Sequence, residues 1–136
     1  MDQTIQAKML VAAKLAMERA YAPYSQFHVG VCVLGDDGQL YSGGNVENVS
    51  YPVGNCAEAS ALSAMVNAGV RRFQAVLIVN ATDRACSPCG ACRQRLREFA
   101  LPDTPIILAS STHGIEKTYT LEQLLPDAFG PEHLGG

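Results

Sequence analysis

Apolar side chains recur at Ile5, Met9, Ala12, Ala13, Ala16 and Ala20, with Lys8, Lys14, Glu18 and Arg19 mostly on the other side. That spacing predicts an amphipathic helix over residues 2–20, broken by Ala22-Pro23-Tyr24-Ser25. Residues 27–34 form an apolar, β-branched run that ends in Gly35-Asp36-Asp37-Gly38, and residues 39–46 return after it. An antiparallel hairpin follows from that pattern. The polar stretch 45–55, with Pro52 and Gly54, reads as a loop. Residues 56–68, rich in Ala, Leu and Met and stopped by Gly69, read as a second helix. Residues 73–79 predict a buried strand. Ser87 and Pro88 predict an N-cap and a first helical position for a third helix over 89–100. Two short strands over 106–109 and 115–120 and a helical turn over 121–125 complete the pattern. Strands interleaved with helices in this way predict an α/β fold of three layers, α/β/α, with a mixed five-stranded sheet covered on both faces.

The chain has 136 residues, 48% hydrophobic and 17% charged, which suits one ordered domain over 1–136. For an enzyme that closes a pocket alone this is small, so a pocket shared within an oligomer is expected. The formal charge is -3 and the basic residues are scattered. A nucleic-acid partner would call for a basic stripe, so none is expected. Lys8 and Lys14 interrupt the apolar run near the amino terminus, and no stretch is long enough to span a bilayer. These features predict a cytoplasmic protein without a membrane partner.

Cysteine brings in the chemistry. Of the 5 cysteines, Cys86, Cys89 and Cys92 lie close together, while Cys32 and Cys56 stand apart. In a reducing compartment this pattern favours a metal over disulfides. Cys89 and Cys92 share one helix face, and Cys56 from another helix start completes a three-thiolate zinc site with its fourth position open to water. Zinc lowers the pKa of such a water toward neutrality, and Glu58, two residues from Cys56, can then move the protons. Residues two apart on a regular helix point in nearly opposite directions, so Cys56 and Glu58 need the irregular geometry of a first turn. Two helix starts meeting at the ion would also aim positive dipole ends at the thiolates. The competing reading is a closed structural clip, with Cys86, Cys32, His28, His113 or His133 as fourth ligand. The acid beside Cys56 and the Ser-Pro before Cys89 favour catalysis. Cys32, inside an apolar strand, reads as a small buried hydrophobe, and the three histidines as surface or loop residues.

At these residues the chain resembles the cytidine deaminases, specifically the short, homotetrameric type. The similarity runs through Ala22-Pro23-Tyr24-Ser25-x-Phe27-x-Val29-Gly30, Asn45-Val46-Glu47-Asn48, Asn55-Cys56-Ala57-Glu58, Ser87-Pro88-Cys89-Gly90-Ala91-Cys92-Arg93-Gln94 and Glu122-x-Leu124-Leu125-Pro126-x-Ala128-Phe129. The resemblance implies one zinc ion per subunit on Cys56, Cys89 and Cys92, with Glu58 as proton shuttle. It also implies Asn45 and Glu47 as a clamp on the ribose, the main chain at Ala57 against the polar edge of the base, and Phe27 packed on the base. Tyr51 and Phe129 would be contributed to neighbouring pockets of a homotetramer. The implied reaction is hydrolytic deamination of cytidine and 2'-deoxycytidine at C4, giving the uridine products and ammonia, within pyrimidine salvage.

One position departs from the family. Many members carry Arg or Gln after the catalytic glutamate, where the side chain can hydrogen-bond the metal thiolates, and this chain has Ala59. The acidic limb of the pH-rate profile is therefore expected to lie higher than in an arginine-bearing relative, unless the helix ends or another base, such as Arg93, compensates. The rival enzyme reading is a blasticidin-type or other cytosine-nucleoside-analogue deaminase, against which the 45–51 segment favours an ordinary nucleoside. A polynucleotide-editing deaminase fits the acidic charge poorly. A noncatalytic zinc-stabilised binding module would need four protein ligands and would leave Glu58 without a task.

Overall fold

The structure, a computed structural model, describes residues 1–135. Its first helix, α1 (Gln3–Glu18), begins where Asp2 caps it: the carboxylate accepts from the Thr4 N–H at 2.7 Å. That bond satisfies one of the donors a helix start leaves free. Met9, Ala13 and Met17, spaced by four, are the residues this helix buries, so a narrow stripe meets the sheet.

Strands β1 (Val29–Gly35) and β2 (Leu40–Gly44) form the expected antiparallel hairpin, with Cys32 opposite Ser42. Gly38 takes φ +81° at the turn, which glycine adopts without steric cost. After helix α2 (Ala57–Asn67), strand β3 (Phe73–Asn80) pairs antiparallel with β1. Helix α3 (Gly90–Glu98) leads to strand β4 (Pro105–Ser110), the parallel neighbour of β3. A parallel pair needs a crossover of this kind. Strand β5 (Gly114–Thr120) pairs antiparallel with β4 and runs into the one-turn helix α4 (Leu121–Leu124). The strand order is β2-β1-β3-β4-β5, a mixed five-stranded sheet as the sequence pattern predicts.

Alternation along the strands makes two cores. Val31, Val33, Val76, Ile78, Ile106 and Leu108 pack with α2 and α3 on one face; Cys32, Leu34, Leu77, Val79 and Ile107 pack with α1 on the other. The result is three layers, α/β/α. Two glycines let the layers close on the hairpin. A Cβ on Gly30 would stand 1.9 Å from the Ala13 carbonyl oxygen, and one on Gly43 would stand 2.6 Å from the Ser60 Cβ. Backbone therefore meets backbone on both faces of the hairpin, and the α2 start is seated against the sheet.

Four boundaries around the hairpin end and the two later helix starts differ from expectation. β1 begins at Val29 rather than residue 27 and β2 ends at Gly44 rather than 46, because the Asn45 amide ties off this end of the hairpin. The second helix has Cys56 as its N-cap rather than its first residue. The third is capped by Cys89, not Ser87, and Pro88 lies outside it. Arg93 holds that segment back: its side chain donates to the Pro88 carbonyl at 2.8 Å, the Ser87 hydroxyl at 3.0 Å and the Leu124 carbonyl at 2.7 Å. Among the described residues, no helix is long and apolar enough to cross a membrane.

Candidate active site

Cys56 and Cys89 occupy the same place in their helices. Each is an N-cap with extended backbone, φ -70° and ψ 155° at Cys56, φ -66° and ψ 167° at Cys89. Their carbonyls accept the first helical bonds, from the Ser60 N–H at 3.1 Å and the Arg93 N–H at 3.0 Å. The extended N-cap supplies the irregular geometry that Cys56 and Glu58 require: both line one cavity, with Cys89 and Cys92. Val29 and Asn80, paired across the β1/β3 ladder, line it too, so the cavity opens at the end of the sheet where α2 and α3 begin.

This cavity measures about 300 Å³ and has Phe27, Asn45 and Ala57 among its walls. That is the lower end of the volumes that hold small organic ligands. Glu58 is only 6% exposed. Burial pushes its carboxyl above the ordinary value, against the opposing pull of its own N–H, the Cys92 thiol and the Arg95 charge. A carboxyl so placed holds a proton more readily than one in water, which suits it to pass protons near neutral pH. The Cys92 thiol is also pushed up, by burial first, then by the Glu58 carboxylate and the neighbouring cysteines.

Such a set of acids needs positive charge. Arg95 supplies one part: its Nη1 donates to Cys92 Sγ at 3.4 Å and to Cys56 Sγ at 3.9 Å. Among the described residues the arginine that bonds these sulfurs is Arg95, while Arg93 is committed to Ser87 and the main chain at Pro88 and Leu124. Sequence spacing held the signal, since Arg95 lies three residues after Cys92 on the same helix face and Arg93 only one.

The sulfurs of Cys56, Cys89 and Cys92 around one cavity, with a buried acid beside them and an arginine on two of them, suit a thiophilic dication such as zinc. Among the described residues no three His, Cys, Asp or Glu side chains already stand close enough to hold an ion. Of the side chains that could close a structural clip, Cys32 is buried on the α1 face. Cys86 does line the cavity, with its thiol directed at the Arg84 carbonyl at 3.8 Å.

The remaining residues named from the sequence divide between this cavity and its surroundings. Asn45 is in the wall, its Oδ1 accepting from the Val29 N–H at 2.9 Å and its Nδ2 donating to the Phe27 carbonyl at 2.9 Å. Glu47 lines a separate cleft with Tyr24, Ser25 and Tyr51. Its carboxylate accepts from the N–H groups of Tyr24 and Ser25 at 3.0 and 3.1 Å and from the Ser25 hydroxyl. Tyr51 is 74% exposed, and Phe129 is 57% exposed in a different cleft near Gln94. One chain does not bring these two rings to the thiols.

A family profile described as the cytidine and deoxycytidylate deaminase zinc-binding region matches residues 3–108. A cytidine deaminase of Sporosarcina psychrophila is 45% identical over 127 residues, 93% of each chain. One from Halalkalibacterium halodurans is 40% identical over 134 residues, 98% of each chain. The crystal structure of cytidine deaminase from Burkholderia pseudomallei superposes with a TM-score of 0.84 at 42% identity, covering 90% of this chain and 98% of that one.

Proposed function

Because the chain belongs to the cytidine and deoxycytidylate deaminase zinc-binding family, we propose that it hydrolyses the C4 amine of cytidine and 2'-deoxycytidine, releasing ammonia. The observation that carries this reading is the meeting of two cysteine-capped helix starts and the buried Glu58 in one cavity walled by Phe27 and Asn45. Cys56, Cys89 and Cys92 would hold the zinc, which would supply a water acidified toward neutral pH.

Glu58 does the proton work. Its carboxylate takes a proton from the attacking water and delivers it to N3 of the pyrimidine, which makes C4 electrophilic. It then takes the second proton of that water and hands it to the C4 amine. The C–N bond breaks, ammonia leaves, and the oxygen remains as the C4 carbonyl of uridine. One water is consumed and no redox partner is needed. The raised proton affinity of Glu58 serves both deliveries. Phe27 gives the base a flat wall, the Ala57 main chain meets its polar edge, and Asn45 and Glu47 bond the sugar hydroxyls.

The exposure of Val49, Tyr51, Val53 and Phe129 favours association with further copies of the chain, and the resemblance makes that assembly a homotetramer in which neighbouring chains lend Tyr51 and Phe129 to the pocket. A cytoplasmic role in pyrimidine salvage is consistent with this substrate. The deciding experiment follows loss of the cytosine absorbance by the zinc-loaded protein, with Glu58→Gln of matched zinc content alongside. Conversion to uridine should fall by a factor of about 100 to 10,000 in the variant. No turnover by metallated wild type, or equal turnover by both proteins, overturns the reading. Full activity at a monomeric mass overturns the shared pocket.

A further inference from the structure

We propose that Arg95 is the positioning residue of the thiolate cluster: it ties Cys56 to Cys92 and offsets part of their charge from a site on α3, where position 59 of α2 offers only a methyl group. The inference rests on the reading of these cysteines as zinc ligands.

The two sulfurs that Arg95 contacts come from different helices, Cys56 from the α2 N-cap and Cys92 from the first turn of α3. A single guanidinium thus holds two helix starts in register. Arg95 has no competing engagement: among the described residues its side-chain hydrogen bonds go to these sulfurs, and the ion pairs are those of Glu132 with Arg97 and His133. Its flexible stem is supported as well. Arg95 lines a groove between α2 and α3 together with Ala59, Leu62, Val66 and Phe99, apolar neighbours for the methylenes of a long cationic side chain.

Charge decides why such a residue is needed. Three thiolates and a dication sum to one negative charge, and an ionised Glu58 makes it two. The two helix N-termini offer roughly half a positive charge each. Arg95 supplies the remaining whole charge, which brings the cluster close to neutrality. Ala59 stands three residues after Cys56 as Cys92 stands three after Cys89, and it borders the same groove as Arg95. A long cationic side chain at 59 would approach the sulfurs from α2 through space that Arg95 now occupies from α3. The two positions are alternative origins for one charge.

The test compares wild type, Arg95→Ala, Arg95→Lys and the double variant Ala59→Arg/Arg95→Ala. Three quantities are read: the rate of zinc transfer to a chromophoric chelator, the sulfur-to-cobalt charge-transfer bands of the cobalt-substituted proteins, and kcat and KM for cytidine. Arg95→Ala should lose zinc about 10- to 100-fold faster, shift the cobalt bands, and lower kcat with KM little changed. Arg95→Lys should fall between, because it keeps the charge but replaces the planar guanidinium, whose Nη1 reaches both sulfurs, with a compact and more strongly hydrated ammonium. The double variant should recover most of the metal retention and band position. Wild-type zinc release and cobalt bands in Arg95→Ala overturn the proposal, and failure of the double variant to recover overturns the exchange with position 59. Should Arg95→Ala fail to fold by circular dichroism, Arg95→Lys decides: wild-type values in all three readings overturn the proposal. Zinc release and the cobalt bands need no cytidine, so an inactive wild type refutes the proposed function without bearing on Arg95.

Discussion

Asn45 offers a quantitative test of how the sheet end is built. Its amide closes the hairpin end by two bonds of 2.9 Å, one accepted from the Val29 N–H and one donated to the Phe27 carbonyl, and the residue is only 9% exposed. Asn45→Ala removes both bonds. At about 0.5–1.5 kcal/mol each, the loss is about 1–3 kcal/mol. The penalty for the unpaired groups stays at the low end because the cavity admits water to them. With a urea m-value of about 2 kcal/mol/M, the midpoint should fall by roughly 1 M.

The assay is urea unfolding followed by circular dichroism, with zinc and protein concentration held equal, since bound metal and subunit association both shift apparent stability. Asn45→Asp adds a directional check. It keeps the acceptor for Val29 but sets a carboxylate oxygen against the Phe27 carbonyl, so its ionised form is disfavoured in the folded state. The folded pKa of that carboxyl is then raised, and the variant regains stability as pH falls through it and the O–H can donate. If Asn45→Ala stays within about 0.5 kcal/mol of wild type while KM for cytidine rises, the amide serves the substrate alone and the structural argument is wrong.

Three further outcomes follow from the same geometry. The Glu47 carboxyl lies below its ordinary value, held there first by the Ser25 hydroxyl and then by the Ser25 and Tyr24 N–H groups. Its stabilising effect is therefore full above the unfolded carboxyl pKa of about 4.3 and is lost as pH falls through the lower folded value. The thermal-melting gap between wild type and Glu47→Gln should narrow on acidification, and a gap constant down to pH 3 contradicts this. Gly30→Ala forces a Cβ to within 1.9 Å of the Ala13 carbonyl oxygen, so urea unfolding should show a loss of about 1–3 kcal/mol or more. Gly90→Ala, with nothing within 4 Å of the added Cβ, should cost nothing. Iodoacetamide and intact-mass analysis should find Cys86 modified in the zinc-loaded protein, with Cys56, Cys89 and Cys92 following only after chelation. Cys32, fully buried and with its thiol pushed up to about 12 by burial, should react only on unfolding.

The layers of the fold were legible because each rests on a pattern spread along the chain. Met9 and Ala13 mark one face of α1 by their spacing, with Met17 a further turn along it, and the 73–79 run is apolar except at Gln74 because its strand is covered on both faces. Boundaries depend instead on bonds between distant residues. Nothing local says that Asn45 will take the Val29 N–H or that Arg93 will hold Ser87 and Pro88 outside their helix. Local capping preference gives Ser87 and Pro88 a helix start, and three hydrogen bonds from one arginine move it to Cys89.

The site divides along the same line. Cys56, Glu58, Cys89 and Cys92 are readable because short spacings bind them to two helix starts, and the structure gathers all four into one cavity. Arg95 escapes a reading organised by sequence slots. The physical requirement is a positive charge within reach of two sulfurs, and that volume can be entered from α2 at residue 59 or from α3 at residue 95. A slot on one helix does not record that the other has filled it. The loss implied by Ala59 therefore holds only for a chain in which no second helix reaches the sulfurs, and here the guanidinium stands 3.4 Å from Cys92 Sγ. The raised acidic limb expected from Ala59 alone should accordingly appear in the pH-rate profile of Arg95→Ala, and be absent from wild type and from the double variant that carries arginine at 59.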